Sequence, residues 1–117
     1  MTLTFLLNYQ AQWGQQLAVL YAADADIATA SPVTLPMDCH GNSEWSAQVT
    51  LSDIHKYISY CYVVLDEQGN ILRRESIPHF LECQPGNIVL RDLWQDKSSS
   101  LFASMFFSQV LFAHRAP

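Results

Sequence analysis

Residues 45–75 read WSAQVTLSDIHKYISYCYVVLDEQGNILRRE, and the rest of the predicted fold is built around this stretch. It contains three segments with the alternation or the β-branched and aromatic content of strands, at residues 45–51, 58–65 and 71–75. A turn at residues 68–70, Gln-Gly-Asn, separates the last two segments. We therefore expect the stretch to form an antiparallel meander that carries the core of the molecule.

Further short strands are predicted on both sides of this stretch. Apolar alternation, or a short extended run bounded by turn residues, places them at residues 3–9, 16–21, 32–37, 77–81 and 88–94. About seven to eight short strands at this spacing are typical of an immunoglobulin-like antiparallel β-sandwich. The sequence therefore predicts an all-β fold.

The segments between these strands are interpreted as loops and turns. Residues 22–31 (AADADIATAS) show little periodicity and are predicted to form a surface loop, with a short helical turn as the alternative. Residues 38–44 (DCHGNSE) are a turn cluster, and one helical turn is an option at residues 52–56.

Composition and charge exclude several classes of protein. The chain has 117 residues, of which 50% are hydrophobic and 15% charged, which is typical of one globular domain. Its formal net charge is −5 and its basic residues form no cluster, which argues against nucleic acid and against an anionic membrane surface as partners. No window approaches the roughly 20 apolar residues of a membrane span, and the N-terminus lacks the basic start of a signal peptide.

The cysteines indicate a reducing compartment. Cys39, Cys61 and Cys83 are odd in number and widely spaced, without a C-x-x-C motif, so they make a poor disulfide framework and a poor zinc site. Cys61 lies inside a strand pattern and is expected to be a small packed residue. We therefore expect a cytoplasmic protein.

No motif of a known catalytic or metal site is present. The chain lacks a nucleophile elbow, an H-E-x-x-H sequence, a phosphate-binding loop and an EF-hand loop, and its four histidines are scattered. Asp24 and Asp26 could form an acid/base or metal pair, but a solvated loop is the favoured interpretation. We predict no catalytic residue, no metal site and no cofactor.

The tryptophans are more informative. Trp13 lies in a polar, glutamine-rich loop directly before Gly14, where an exposed ring could stack on the C–H face of a glucose ring while glutamines bind its hydroxyls. The alternative is that Trp13 folds back as a lid on the end of the sandwich. Trp45 is predicted to lie in the core, and Trp94 either in the core or against the segment that follows it.

Several short sequences together resemble the starch-binding domain of carbohydrate-binding module family 20 over residues 2–96. In chain order they are W-G-Q at residues 13–15, Trp45 opening a strand that contains V-T-L, Y-C-Y-V at residues 60–63, R-E at residues 74–75 with P-H at residues 78–79, and R-D-L-W at residues 91–94. The resemblance implies the immunoglobulin-like β-sandwich of that family.

The end of the chain extends the resemblance. Residues 91–112 look like the segment that follows the first starch-binding domain of amylomaltase-like 4-α-glucanotransferases. This implies a non-catalytic module at residues 1–96 and a linker or docking tail at residues 97–117. It also implies that Met1 is the natural start and that a (β/α)8 catalytic domain lies beyond Pro117.

The resemblance also implies two sugar sites. The main site of the family would include Arg74, Glu75 and His79, but it is degenerate here. The loop at residues 22–31 lacks the family's tryptophan, and Cys61, Arg74 and His79 replace its lysine, tryptophan and asparagine. The second site would use Trp13, which matches the family's aromatic, and the further candidates for this site are Gln12, Gln15 and His40.

Two functions are therefore expected from the resemblance. One is a module that binds α-1,4-glucan or maltooligosaccharide, through Trp13, for a 4-α-glucanotransferase. The other is a structural domain that packs on the downstream catalytic domain or on a second starch-binding module without binding glucan. An independent enzyme is the least favoured interpretation.

Overall fold

Nine β-strands make up the secondary structure of the part of the chain that the computed structural model describes, residues 1–29, 31–41, 43–51 and 55–95. In chain order they are β1 (Thr2–Asn8), β2 (Gln16–Ala23), β3 (Val33–Pro36), β4 (Asp38–Cys39), β5 (Glu44–Thr50), β6 (Tyr57–Leu65), β7 (Ile71–Arg74), β8 (His79–Glu82) and β9 (Asn87–Leu93). The predicted tail at residues 97–117, and most of the predicted helical turn at residues 52–56, lie outside the described residues. Nothing within those ranges forms a helix that could cross a membrane.

The strands form two sheets that face each other, as the prediction of a β-sandwich requires. The first sheet has the order β4-β5-β1-β9, in which β1 pairs with β5 antiparallel and with β9 parallel. The second has the order β3-β2-β6-β7, and β8 pairs with the other half of the same edge of β6. The fold class predicted from the alternation is therefore confirmed.

The core lies between the sheets and follows the alternation of the strands. Leu3, Phe5 and Leu7 of β1 are 0%, 0% and 2% exposed, because every second residue of a strand points to the same face. They pack on the inward residues of the other strands, which are Leu17, Val19, Tyr21, Trp45, Ala47, Ile58, Tyr60, Tyr62 and Val64. The predicted core position of Trp45 is confirmed, and its indole Nε1 donates to the carbonyl of Tyr9 at 3.0 Å.

A second apolar cluster covers the outer face of β2 and β6. Ile27, which is 3% exposed, packs over the outward residues of these strands, Ala18, Leu20, Ala22, Cys61 and Val63. The described residues after Ala23 form the predicted surface loop, except that its one branched aliphatic side chain, Ile27, is buried and closes this face. Cys61 is 1% exposed, which confirms it as a packed residue.

The predicted meander is wrong in one respect. The strand β5 belongs to the first sheet and β6 to the second, so the chain changes sheets between them, and only β6 and β7 form a hairpin. Alternation identifies strands but not their partners, which explains the error. Two smaller differences are the short strand β4 inside the predicted turn cluster and the position of β8 slightly beyond the predicted residues 77–81.

Candidate functional site

Trp13 is fully exposed at the tip of a tight turn. The Gln15 N–H donates to the carbonyl of Gln12 at 3.1 Å, and Gly14 between them has a φ of 83°. This is the pattern of a type II turn, in which the third residue needs a positive φ and is usually glycine. The side chain of Trp13 is 100% exposed, so the alternative in which it folds back as a lid is wrong.

The turn that carries Trp13 is held by its own glutamines. The Gln15 side-chain Oε1 accepts from the backbone N–H of Gln12 at 2.9 Å, which gives a second hydrogen bond between the first and last residues of the turn. Because Gln16 of β2 pairs with Leu65 of β6, the turn lies beside the hairpin that follows β6. The structure therefore places Gln12, Trp13 and Gln15 together, next to a second loop.

A surface pocket of about 500 Å³ lies between these two loops. Its lining consists of Ala11, Gln12, Trp13, Gly14, Gln15, Gln16, Cys39, Trp45 and Glu67. The pocket combines one exposed aromatic ring with several amides and one carboxylate. Such a set can stack against an apolar face and exchange hydrogen bonds with hydroxyl groups.

His40 does not line this pocket. Cys39 pairs with Trp45 across β4 and β5 and lines the pocket of Trp13, whereas the next residue faces the opposite side of the sheet. There the His40 ring Nε2 hydrogen-bonds to the Ser46 hydroxyl. His40 also lines a different pocket, of about 310 Å³, on the outer face of the first sheet.

The expected main site contains a small pocket without an exposed aromatic ring in its lining. This pocket has a volume of about 280 Å³, and its lining consists of Ile27, Ala28, Cys61, Arg74, Glu75, Ser76 and Pro78. The Arg74 Nη2 reaches the carbonyl of Ile27 at 3.5 Å, so the guanidinium lies against the loop that covers the sheet. Burial raises the pKa of the Cys61 thiol, although the Arg74 guanidinium acts in the opposite direction.

Glu75 is buried at the edge of this pocket, where it hydrogen-bonds to β6 in a gap between two edge strands. Its N–H donates to the carbonyl of Tyr62 at 3.1 Å, and its Oε1 accepts from the Tyr62 N–H at 2.7 Å. The edge strand is interrupted at this point between β7 and β8, so the carboxylate replaces a missing backbone acceptor. Oε2 accepts from the N–H of Gln95 at 2.7 Å.

His79 is buried beside Glu75. Its Nε2 lies 3.1 and 3.0 Å from the two carboxylate oxygens of Glu75, and the side chains of His79 and Glu75 are 6% and 0% exposed. Burial alone lowers the pKa of His79, but the hydrogen bond and charge of Glu75, with the charge of Asp92, raise it above its ordinary value. Burial raises the pKa of Glu75, with the His79 hydrogen bond opposing.

Asp92 of β9 completes this cluster from the other sheet. Its Oδ2 accepts from the hydroxyls of Tyr60 at 2.9 Å and Tyr62 at 2.6 Å. The His79 Nδ1 lies 3.7 Å from Asp92 Oδ1, and the His79 ring stacks on Tyr60 with centroids 4.8 Å apart. Burial, followed by the charge of Asp92, holds the pKa of both tyrosines well above 10.0. Glu75 and His79, which were expected in the main site, thus take part in core contacts, whereas Arg74 stays exposed.

The other residues that the sequence brought to attention have structural surroundings. Trp94 is half-buried, with its ring 4.8 Å from that of Tyr9 and the Arg73 guanidinium 4.8 Å above it. Asp24 is an anchor for the start of β6, because its Oδ1 accepts from the Lys56 N–H at 2.6 Å and its Oδ2 lies 3.0 Å from the His55 ring. Within the described ranges, no group of three or more His, Cys, Asp or Glu side chains could hold a metal ion.

Sequence reasoning did not single out Glu67 or Asp92. Glu67 comes close to Gly14 only through the pairing of β2 with β6, which the sequence does not reveal. For Asp92 a signal exists. Asp92 lies on the same face of β9 as Ile88 and Leu90, because every second residue of a strand points to the same side. Ile88 and Leu90 are partly buried and pack on the core, so a carboxylate at position 92 also faces inward.

Comparison with known proteins identifies a relative in sequence, while no family model matches the chain. The chain is 34% identical over an alignment of 128 residues to the 4-alpha-glucanotransferase DPE2 of rice, Oryza sativa subsp. japonica. The alignment covers 95% of the chain but only 13% of the rice protein.

Solved structures share the fold. The chain resembles the family 15 glucoamylase of Hypocrea jecorina (TM-score 0.58, 21% identity, 81% of this chain and 17% of that one). It also resembles the gamma-CGTase of the alkalophilic Bacillus clarkii (TM-score 0.56, 13% identity, 80% and 15%). A third likeness is the glucoamylase of Hormoconis resinae (TM-score 0.52, 23% identity, 85% and 18%).

Proposed function

We propose that this chain is a non-catalytic module of a 4-α-glucanotransferase, of the type of carbohydrate-binding module family 20, and that it binds α-1,4-glucan at Trp13. The similarity to the rice 4-alpha-glucanotransferase supports the parent enzyme, and the shared fold with two glucoamylases and a CGTase supports a domain of a starch-active protein. The chain spans 13% of the rice protein, as a module of a longer enzyme would.

The observation that carries the proposal is the full exposure of Trp13. An indole that is 100% exposed leaves a large apolar surface in water, which is unfavourable unless a ligand covers it. The C–H face of a glucose unit matches the flat ring in shape and polarity. The amides of Gln12, Gln15 and Gln16 in the same pocket can donate to and accept from the hydroxyls at its rim.

The affinity of this site is expected to be weak. One aromatic ring buries little of a glucan chain, and the binding of a flexible oligosaccharide costs ordering entropy. The type II turn with its two Gln12–Gln15 hydrogen bonds offsets part of that cost, because the ring-bearing backbone is already ordered. We therefore expect dissociation constants in the millimolar to high micromolar range, roughly 4–6 kcal/mol of binding free energy.

A second function is favoured by the state of the main site. Arg74 and Cys61 line the pocket there, and Glu75 and His79 hydrogen-bond to each other in the interior rather than toward solvent. A module with that site lost could serve as a structural domain that packs on the catalytic domain. The two functions differ in one respect that can be measured, which is whether Trp13 contacts glucan.

The partners follow from the proposed parent enzyme. We propose a catalytic domain downstream of this module, a second starch-binding module as a neighbour, and no nucleic acid or membrane partner. We also propose a cytoplasmic location, which fits the three free thiols of Cys39, Cys61 and Cys83.

Titration of the 117-residue chain with maltoheptaose tests the proposal through tryptophan fluorescence and amide NMR shifts. We expect millimolar maltoheptaose to shift the resonances around Trp13, and we expect Trp13→Ala to weaken binding at least about tenfold, as loss of a central aromatic contact does. Since Trp13 is fully exposed, Trp13→Ala should change the free energy of unfolding by less than about 0.5 kcal/mol.

Phe80→Ala is the matched control. Phe80 is also an exposed aromatic, at 47%, but it lies on β8, which pairs with the opposite end of β6 from the Trp13 turn. Its loss should leave glucan binding unchanged. A folded spectrum with no shift at millimolar maltoheptaose would exclude the binding function and leave the structural one. Shifts around Arg74 and His79 instead would place the glucan in the main site.

A further inference from the structure

We infer that Glu67 is the hydrogen-bonding and charge-selective residue of the Trp13 pocket, which takes neutral glucan with free vicinal hydroxyls in preference to phosphorylated glucan. This inference rests on the proposed binding of glucan at Trp13. Neither the sequence alternation nor the resemblance singles out Glu67, which enters the site through the fold alone.

The structure holds Glu67 directly against the turn that carries Trp13. A β-carbon placed on Gly14 would lie only 2.9 Å from the Glu67 Oε1, so the carboxylate rests on the face of this glycine. Trp13 is the residue immediately before Gly14. The carboxylate and the indole therefore line the same pocket, and the carboxylate touches the residue that follows the indole.

The hairpin that carries Glu67 is itself ordered. The Asp66 Oδ1 accepts from the N–H groups of Gln68 at 2.9 Å and Asn70 at 2.8 Å, and the Asp66 N–H donates to the carbonyl of Asn70 at 2.9 Å. The Asn70 hydrogen bonds hold the pKa of Asp66 below its ordinary value of 3.8, so this carboxylate stays ionised and keeps the hairpin closed. Glu67 thus projects from a fixed backbone, as a ligand contact requires.

The Glu67 carboxylate is available to a ligand. It makes no hydrogen bond and no ion pair with any residue in the described part of the chain. It is also the one charged side chain among the described residues that line this pocket, since the others are amides, aromatic rings, a thiol, an alanine and a glycine. The pocket therefore carries an uncompensated negative charge beside its aromatic ring.

The chemistry of an ionised carboxylate fits one edge of a glucose unit. A carboxylate only accepts hydrogen bonds, and its two oxygens can accept from two adjacent donors at once. In an α-1,4-glucan the 2- and 3-hydroxyls of each unit are free and adjacent, so both can donate to Glu67 while the ring stacks on Trp13. The amides of Gln12 and Gln15 can then serve the remaining oxygens.

The same charge disfavours a phosphate ester. A phosphate carries up to two negative charges at neutral pH, and a 3-phosphate also removes one of the two donating hydroxyls. With no cation among the described residues that line the pocket, the repulsion is opposed only by water and salt. We expect the phosphorylated ligand to bind about threefold to tenfold more weakly than the neutral one at low ionic strength, and the difference to shrink as salt is added.

The test measures the affinity of the 117-residue chain for neutral maltodextrin and for maltodextrin of the same length carrying phosphate esters. Glu67→Gln keeps the size of the side chain but removes its charge. We expect it to weaken binding of neutral maltodextrin about threefold to tenfold, because one charge-assisted acceptor becomes an amide. It should also remove most of the discrimination against the phosphorylated form.

Glu82→Gln is the matched control. It removes the same charge from an exposed position on β8 opposite Tyr57, roughly 25 Å along β6 from Leu65 and the Glu67 hairpin. It should leave both affinities unchanged.

The outcomes separate this inference from the proposed function. Absence of binding of neutral maltodextrin by the unaltered chain overturns the proposed function. Binding that Trp13→Ala abolishes but Glu67→Gln leaves intact, with the phosphorylated ligand bound equally well, overturns the role of Glu67 and keeps that of Trp13. Loss of discrimination in Glu82→Gln as well would show a general effect of net charge and would also overturn the role of Glu67.

Discussion

Gly14 shapes the turn that carries the exposed ring of Trp13. Its positive φ of 83° turns the chain back toward β2 immediately after the tryptophan, whose side chain is fully exposed. The missing side chain of Gly14 also leaves room for the carboxylate of Glu67. A single glycine thus supports both groups of the proposed site, its ring and its acceptor.

Gly14→Ala is predicted to impair the site more than it impairs the fold. The left-handed conformation costs an alanine about 1–2 kcal/mol, which should appear as a loss of unfolding free energy in urea. The new β-carbon would lie 2.9 Å from the Glu67 Oε1 and displace that carboxylate, so maltoheptaose affinity should also fall.

Gly86→Ala is the control for that variant. Gly86 has a φ of 100°, a β-carbon added to it would meet no atom within 4 Å, and its carbonyl accepts from Thr2, at the far end of β1. The strain is the same in kind, so the stability loss should be similar, but the affinity should not change. Equal affinities in both variants would contradict the role assigned to the contact between Gly14 and Glu67.

At the scale of elements, the loop after β2 decides what the outer face of the second sheet can do. Ile27 packs over Cys61 and Val63, and the Ser59 hydroxyl donates to the carbonyl of Ala25 at 2.6 Å. The loop therefore closes an apolar face that would otherwise be open to solvent. Because the closing residue is aliphatic, the described lining of the pocket beside Arg74 contains no flat ring.

Ile27→Ala is predicted to destabilise the domain by about 2–3 kcal/mol, toward the lower end for loss of a buried isoleucine because a loop can partly collapse into the space. Ile71→Ala is the matched substitution at a site that is 52% exposed, and it should cost less than about 1 kcal/mol. Urea unfolding of both variants checks the difference. Similar losses in the two would show that the loop does not seal the sheet.

The elements themselves were largely predictable, but their partners were not. The sequence identifies β1 as a strand because burial on one face produces alternating apolar residues. It identifies β6 because burial on both faces produces a continuous apolar run. The parallel pairing of β1 with β9, and the passage of the chain from one sheet to the other after β5, leave no such mark. Long-range pairing depends on which apolar faces can be buried together.

The candidate site was predictable to the same extent. The isolated Trp13 in a glutamine-rich loop is a local signal, so the sequence identified it. Glu67 is a non-local contact, since its approach to Gly14 depends on the register of β2 with β6. The burial of Glu75 and His79 likewise depends on Asp92, which arrives from the other sheet.

At the scale of the whole molecule, one buried polar cluster ties the two sheets together. The tyrosine hydroxyls of β6 donate to Asp92 of β9, and the Glu75 carboxylate joins β6 to the N–H of Gln95, just after β9. Buried charges of this kind stabilise the fold only while their partners and protonation states are kept. The stability of the whole sandwich should therefore depend on pH.

The domain is predicted to lose stability as the pH rises above 6.5 and passes through the raised folded-state pKa of His79. The pKa of His79 lies above its ordinary value of 6.5 in the folded state, so its contribution is complete below pH 6.5 and is lost as the pH passes through the folded pKa. The pKa of Glu75 is also raised, from 4.5, so its effect has the same sign. The lowered pKa values of Asp24 and Asp66 affect the free energy of unfolding only below about pH 3.8, so they do not contribute to this change.

Urea unfolding at one pH below 6.5 and at one pH well above it measures the effect, with His79→Gln as the comparison. A glutamine can still donate one hydrogen bond to Glu75 from the position of the histidine Nε2, but it cannot gain a proton. The variant should therefore be less stable than the unaltered chain at the lower pH and should show a smaller change between the two. An unchanged pH dependence in His79→Gln would mean that the pKa of the histidine is the same in the folded and unfolded states, and would contradict this prediction.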